Sequence, residues 1–520
     1  MPTETLPSWQ GHEFQALVWL NSWDGLSTAT TIQCTCWAVN ITISQLRSVF
    51  NRMHWRSSAV AGGVLLATLP ATIPTPAKAQ DLASQESLPV GLESAPALAE
   101  AESAGPRSDP GTAEPATPTP TTTPQGLTIW NRPTFSGDWW GGRSELAKRG
   151  VNLRLWATGF YQGQWSGDVG SFTAADGRGT KFLSGGRLDA LVDLDTTKLG
   201  LWRGGGIHAH LELEGGRVPG FRGGALWPVN SGAILPLGSP EQLEATSLYI
   251  SQRWGGTSLL VGKINAIDLL ANDPFFGGWG IDRFMNLAFV APPSGVVPPV
   301  IMGGLLAQKI GEVSLSAMVF DPSDQTTNYW VDGLFADGVN VSLAAQWNGR
   351  AWGRASNLGL SYTFSTKDSV DLRSILLPSD LQIGASTYPD NLSLQFGHTL
   401  FPSKVRPGKG IGIYGKVAAT RGNPNPIGWS FVGGITGEGM FVNRPYDGFG
   451  VGFYYYNWSQ ALEATLDPLL PLDNEKGLEI YYNFALTPWF ILTADLQLID
   501  PGKADFAIET VAALRAKFTF

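Results

Sequence analysis

Read backward from the last residue, every second position of "VAALRAKFTF" is apolar: Phe520, Phe518, Ala516, Leu514 and Ala512. Thr519, Lys517 and Arg515 fall between them. The same period recurs upstream. In "VNLRLWATGFY", Val151, Leu153, Leu155 and Ala157 oppose Asn152, Arg154, Trp156 and Thr158. In "RLDALVDLD", Leu188, Ala190, Val192 and Leu194 oppose Arg187, Asp189, Leu191 and Asp193. In "IHAHLELE", Ile207, Ala209, Leu211 and Leu213 oppose His208, His210, Glu212 and Glu214. Side chains of a strand point alternately to its two faces, so this period predicts strands with one apolar and one polar side.

A soluble β-sandwich produces the same alternation. The strands here are about 8–12 residues long, as tilted membrane strands must be. Tyr and Trp gather at predicted strand ends ("YYYNW" at 454–458, "PWF" at 488–490, "QRWGG" at 252–256), the expected places of an outer-membrane aromatic girdle. At about 22–26 residues per strand with its connection, 126–520 accommodates roughly 16 strands, a size that leaves an aqueous bore. The predicted fold is all-β: a transmembrane antiparallel barrel of about 16 strands, with a short N-terminal helix and long extracellular loops. A last strand that pairs with the first removes both sheet edges. It would place Phe518 and Phe520 toward lipid and Arg515 and Lys517 toward the lumen.

Composition agrees. Charged residues are only 15% and Gly numbers 63, yet no apolar run reaches the ~18–20 residues of a spanning helix. A formal charge of −9 offers no basic face for nucleic acid. From Met53, "MHWRSSAVAGGVLLATLPATIPTPAKAQ" joins Arg56, an apolar core at 59–69 and Ala77-Lys78-Ala79 in the three-part pattern of a secretory signal. Residues 1–52 are then expected to be an upstream extension, unstructured or the product of a misassigned start. Residues 53–79 are the signal, 80–125 a Pro/Ala/Thr-rich linker, and 126–520 the barrel. Cys34 and Cys36 both precede the signal, which leaves the exported chain without a disulfide or thiolate site.

Two segments resemble a known family. "SGDWWGGRSELAKRGVNLRLWATGFY" (136–161) is similar to the opening of the carbohydrate-selective porins, the OprB family, with Trp140 as an extra residue. The tail "GLEIYYNFALTPWFILTADLQLIDPGKADFAIETVAALRAKFTF" (477–520) resembles the family's closing strands. The resemblance spans about 126–520. It implies a 16-stranded outer-membrane barrel through which sugars and other small polar solutes diffuse passively. The aromatic C-terminus, Phe520, resembles the signal read by the outer-membrane assembly machinery. Outer-membrane lipid and sugars are the other implied partners, and peptidoglycan is a further one through the linker. No cofactor and no nucleic acid are expected.

Pore-lining candidates follow from the polar faces: Arg154, Trp156, Arg187, Asp189, Asp193, His208, His210, Glu212, Glu214, Arg253 and Lys263. Paired Arg and carboxylates can each hold two adjacent hydroxyls. The alternative is plain water-facing wall. His208 and His210 share one face, but no third metal ligand is predicted beside them. "NDPFFGGWGIDRFMNLAFVAPPSGVVPPV" (272–300) breaks the alternation and reads as a long loop, which either folds inward or caps the mouth. Phe275, Phe276, Trp279, Asp282 and Arg283 are its constriction candidates. "GDWWGGRSELAKRG" lacks a phosphate-loop ending and is read as a short rim helix capped by Asp138 or Ser144. No Gly-x-Ser-x-Gly occurs, so a lipase-like barrel is disfavoured and no enzyme activity is expected. The remaining alternative is a general, ion or organic-acid porin with a wall-tethering linker.

Overall fold

The structure, a computed structural model, describes residues 14–20, 28–34, 128–166, 182–216, 227–235, 241–270, 273, 278–291, 297–467 and 469–520. Strands β1 (Phe14–Leu20) and β2 (Thr28–Cys34) pair with each other in a two-stranded sheet of their own. The predicted signal and linker lie outside the described residues.

The remaining strands alternate direction around one closed ring. The first quarter is β3 (Val151–Ser166), β4 (Phe182–Asp195), β5 (Gly205–Gly216) and β6 (Leu243–Trp254). Next come β7 (Thr257–Asn265), β8 (Val300–Ile310), β9 (Val313–Phe320) and β10 (Asn340–Ala351). They are followed by β11 (Arg354–Ser365), β12 (Asp390–Pro402), β13 (Gly410–Arg421) and β14 (Ile427–Glu438). The last quarter is β15 (Gly448–Trp458), β16 (Glu475–Thr487), β17 (Phe490–Asp500) and β18 (Glu509–Thr519). β18 pairs antiparallel with β3, from Thr510 opposite Ser166 to Thr519 opposite Trp156, which closes a sixteen-strand barrel. Within the barrel's described strands no edge is left for another chain to extend.

The alternation partitions the faces as lipid requires. Leu188, Leu306, Val319, Leu343, Leu392 and Leu514 are exposed on the outer wall. Their neighbours Arg187, Ser342 and Asn391 are buried on the inner side. One end of the barrel carries short connections such as 255–256, 311–312 and 352–353; the other carries 266–299, 321–339 and 366–389.

The predicted rim helix spans Gly142–Lys148, and Asp138 accepts hydrogen bonds from the Ser144 amide (2.8 Å) and hydroxyl (2.7 Å). The segment before β3 clasps the end of the closing strand. Phe135 N donates to Thr519 O (2.7 Å), Arg143 Nη2 to Phe520 O (2.6 Å), and Trp489 Nε1 to Ile129 O (2.7 Å). Phe518 stacks on Phe490 with centroids 4.3 Å apart, whereas the Phe520 ring meets Phe135 edge-on. The terminal ring therefore packs on the protein's own N-terminal segment, where the alternation had placed it against lipid.

Candidate functional site

A sixteen-strand ring is too wide for its own wall side chains to fill. Here two long connections enter it. Residues 278–291, between β7 and β8, reach β15 and β16, which lie halfway around the ring. Glu479 of β16 accepts from the amides of Met285 and, at 2.9 Å, Asn286, and Asn286 Nδ2 reaches Gln497 of β17. Phe284 and Phe289 stack at 4.4 Å and meet Tyr481, Tyr454 and Tyr414 edge-on. Gly452 of β15 makes room for them, since a Cβ there would run into the Phe289 ring. Burying each of these rings contributes on the order of 2–3 kcal/mol, enough to fix the segment across the bore.

The second connection is 227–235. Leu287 N donates to Pro228 O and Ser231 N to Met285 O, so the two inward segments are bonded to each other. Gln162 and Gln497 both donate to Val229 O, at 3.2 and 2.8 Å, and Arg187 donates to the Gly232 and Leu235 carbonyls.

The sequence-selected residues fall into several groups. Arg187 also donates to Asp189 and Glu212, with Glu214 at 3.5 Å. His210 sets Nε2 3.1 Å from Asp189 and Nδ1 2.8 Å from Asp268, which lies in the short helix Ala266–Leu270. Asp268 also accepts from Trp279 Nε1 (2.7 Å) and Ser247 Oγ (2.6 Å), and Trp279 lies against Trp156 at 5.3 Å. Arg187, Asp189, His210 and Glu212 are each 1–3% exposed. They form a buried hub that ties the inward segments to β4 and β5, whereas the polar face alone had suggested a water-facing lining. Asp193 joins Arg154 (3.0 Å) to His208 (2.7 Å), whose other ring nitrogen meets Ser251.

Lys263 stands apart. It pairs in register with the exposed Leu248, and its ammonium donates to the carbonyls of Thr326 and Asn328 beneath the Tyr329 ring. Loop 321–339 covers it, in place of the lumen position expected of it. Arg253 is half-buried at the short-turn end. In the inward segment, Asp282 pairs with Lys517, and Arg283 donates to Asp273 O. Arg515 donates to the carbonyls of Gly280 (3.0 Å) and Arg283 (2.8 Å), and to Asn483 and Thr493. Phe275 and Phe276 lie outside the described residues.

His210, Asp189 and Glu212 bring ligand-type atoms within 4.8 Å of one another, whereas His208 turns to Asp193 and Ser251. Arg187 donates to both carboxylates of the group.

Sequence reasoning missed several participants. Tyr454, Tyr456 and Trp458, read as an outer girdle, are buried inside, where Tyr456 meets Trp227 edge-on. Only Tyr455 of that run joins an outer aromatic, Trp429. Glu479 and Asn483 lay in plain view on the polar face of β16.

The opposite wall is different in kind. The inner faces of β10–β12 present Ser342, Gln346, Asn357, Ser361, Thr363, Asn391, Ser393 and Gln395. Ser342 and Thr363 share a hydrogen bond (2.8 Å), as do Ser361 and Ser393 (2.9 Å).

Comparison with known proteins places this geometry. The family model described as "Carbohydrate-selective porin, OprB family" matches residues 180–520. The high-pH structure of Pseudomonas putida OprB is similar with a TM-score of 0.65 at 18% identity, covering 76% of this chain and 100% of that one. Its low-pH structure gives 0.48 at 16%, covering 75% and 99%. The outer-membrane channel DcaP of Acinetobacter baumannii gives 0.44 at 12%, covering 71% and 97%. No curated protein sequence matches significantly.

Proposed function

Because the chain belongs to the OprB family of carbohydrate-selective porins, an outer-membrane channel for passive sugar diffusion, we propose that solutes pass between the inward segment 278–291 and the neutral wall of β10–β12. The observation that carries this is the one-sided filling of the bore. Among the described residues the inward segments hydrogen-bond to β3, β4 and β16–β18, while on β10–β12 Ser342 pairs with Thr363 and Ser361 with Ser393. Such groups can exchange a sugar's water hydrogen bonds for protein ones at little net cost. The pore-lining role then belongs to this wall and to the partly exposed Arg154 and Asp193. Asp282 and Arg283 set the narrow point from the other side.

The family and fold make this a channel. Two partner readings extend it. Phe520 is read as the end of the signal recognised by the outer-membrane assembly machinery; in the finished seam its amide donates to Leu155 O and its carbonyl accepts from Arg143. The linker is read as a wall tether that binds peptidoglycan.

The experiment is liposome swelling with sugars against amino acids of equal size, using the refolded exported chain. Sugars should enter several-fold faster. Equal rates for all would leave a general diffusion pore, and no swelling would remove the channel reading.

A further inference from the structure

The two ends of the barrel carry opposite charge. At the long-loop end, the eight connections hold seventeen acidic residues and eight basic ones, a net of −9; 321–339, 366–389, 459–474 and 501–508 alone hold eleven acidic and three basic (Lys367, Arg373, Lys503). At the other end, the seven short connections hold six basic residues (Lys198, Arg203, Lys404, Arg406, Lys409, Arg444) and two acidic ones (Glu312, Asp447), a net of +4. The clasp 128–150 ends beside them, because Val151 pairs with Leu194 just before turn 196–204. It adds four basic and two acidic residues, for +2 more.

We propose that the two mouths act as successive charge filters of opposite sign, and that this bipolar arrangement, more than any single lining residue, selects neutral solutes. The proposal rests on the porin reading above. An anion is repelled at the acidic mouth and a cation at the basic one, so each charged solute meets one barrier in either direction of travel. A neutral sugar meets neither. The filters act separately, since the Debye length is about 10 Å at 0.1 M salt while the apolar band of such a barrel is about 25 Å tall. Charged rings at a channel mouth act through this field without touching the solute.

The residues that set the filters are exposed, so they can be changed without disturbing the wall: Lys198, Arg203 and Lys404 at one end, Asp332, Asp368 and Asp380 at the other. Segment 80–125 precedes the basic rim and itself carries seven acidic residues and one basic one. The test therefore uses the exported chain with that segment in place.

Tracer fluxes of glucose, glucosamine and glucuronate are compared in proteoliposomes at 0.1 M and 1 M salt. At about 0.1 M, glucose should pass several-fold faster than both charged sugars, and at about 1 M, where the Debye length is about 3 Å, the three should converge. The K198Q/R203Q/K404Q variant should recover glucosamine alone, and D332N/D368N/D380N glucuronate alone, with glucose unchanged in both. Charged sugars that match glucose at low salt, or variants that shift both charged sugars together, would overturn the filters. Failure of glucose itself to pass would instead overturn the porin reading.

Discussion

The inner faces of β4 and β5 and those of β10–β12 belong to one sheet, yet they are built for different work. Across β4 and β5 stand Arg187, Asp189, Asp193, His208, His210, Glu212 and Glu214. Along the middle of β10–β12 the inward positions are Ser, Thr, Asn and Gln with Ala344 and Gly359, and none is charged. Charge density follows the loops. Where the inward segments dock, carboxylates and guanidinium are desolvated and must be paired, so they become structure. The neutral wall is as little exposed (Ser361 4%, Asn391 0%), but its uncharged groups need no counter-charge and can pair among themselves. In this barrel a concentration of charge marks the anchor, and the proposed path runs along the plain polar wall.

Breaking the charged side should have the largest effect. R187A leaves Asp189 and Glu212 buried without their main partner and releases the Gly232 and Leu235 carbonyls. Loss of one member of a buried ion cluster costs about 3–5 kcal/mol. Urea unfolding of the detergent-refolded barrel should show it, with the midpoint lowered.

A subtler break is E479A, which removes the acceptor for two amides of the crossing segment. Leaving buried donors unsatisfied costs about 1–3 kcal/mol each. The barrel should stay folded while the segment loosens, and single-channel recordings should show a larger, noisier conductance. An unchanged conductance would mean that the segment does not narrow the path.

The neutral wall should respond the other way. S361A with S393A removes one hydrogen bond of about 1 kcal/mol, with little change in unfolding. N391A with Q395A should lower sugar flux several-fold, again at nearly constant stability. A fall in stability as large as that of R187A would erase the distinction between the two walls.

The smallest effect lies on the long loop 366–389. Arg373 hydrogen bonds hold the Asp371 carboxyl down at about 2, below its ordinary range. A depressed carboxyl stabilises the loop above its unfolded pKa of about 3.9, and that contribution fades as pH falls toward 2. Limited proteolysis of the loop should be unchanged from pH 7 to 5 and should rise below about pH 3.5. D371N should remove that dependence.

Much of this was legible in the sequence. The facing of Arg187 and Leu188, or of Arg515 and Leu514, is a local consequence of strand geometry, and the closing strand could be read from its last residues. The inward path of 278–291 was not legible, because its anchors are remote: Met285 and Glu479 are 194 positions apart. Tyr454 and Tyr456 misled because a tyrosine at a strand end looks the same whether it meets a headgroup or a plugging loop. In β7 the consecutive apolar residues Leu259, Leu260 and Val261 give no alternation to follow, so the lumen face expected for Lys263 had no local pattern behind it.

Single cysteines give the most direct test of where solute travels, since the chain's only native ones, Cys34 and Cys36, precede the predicted signal. S361C and T158C place thiols on the neutral wall and on the plugged side. The two positions are similarly shielded, at 4% and 3% exposure, so a difference between them reports the water path and not side-chain burial. A membrane-impermeant thiol reagent is added while glucose flux is followed. The account predicts that modification of S361C cuts the flux and that T158C is left unmodified with flux intact. Rapid modification and block at T158C, with S361C indifferent, would contradict it.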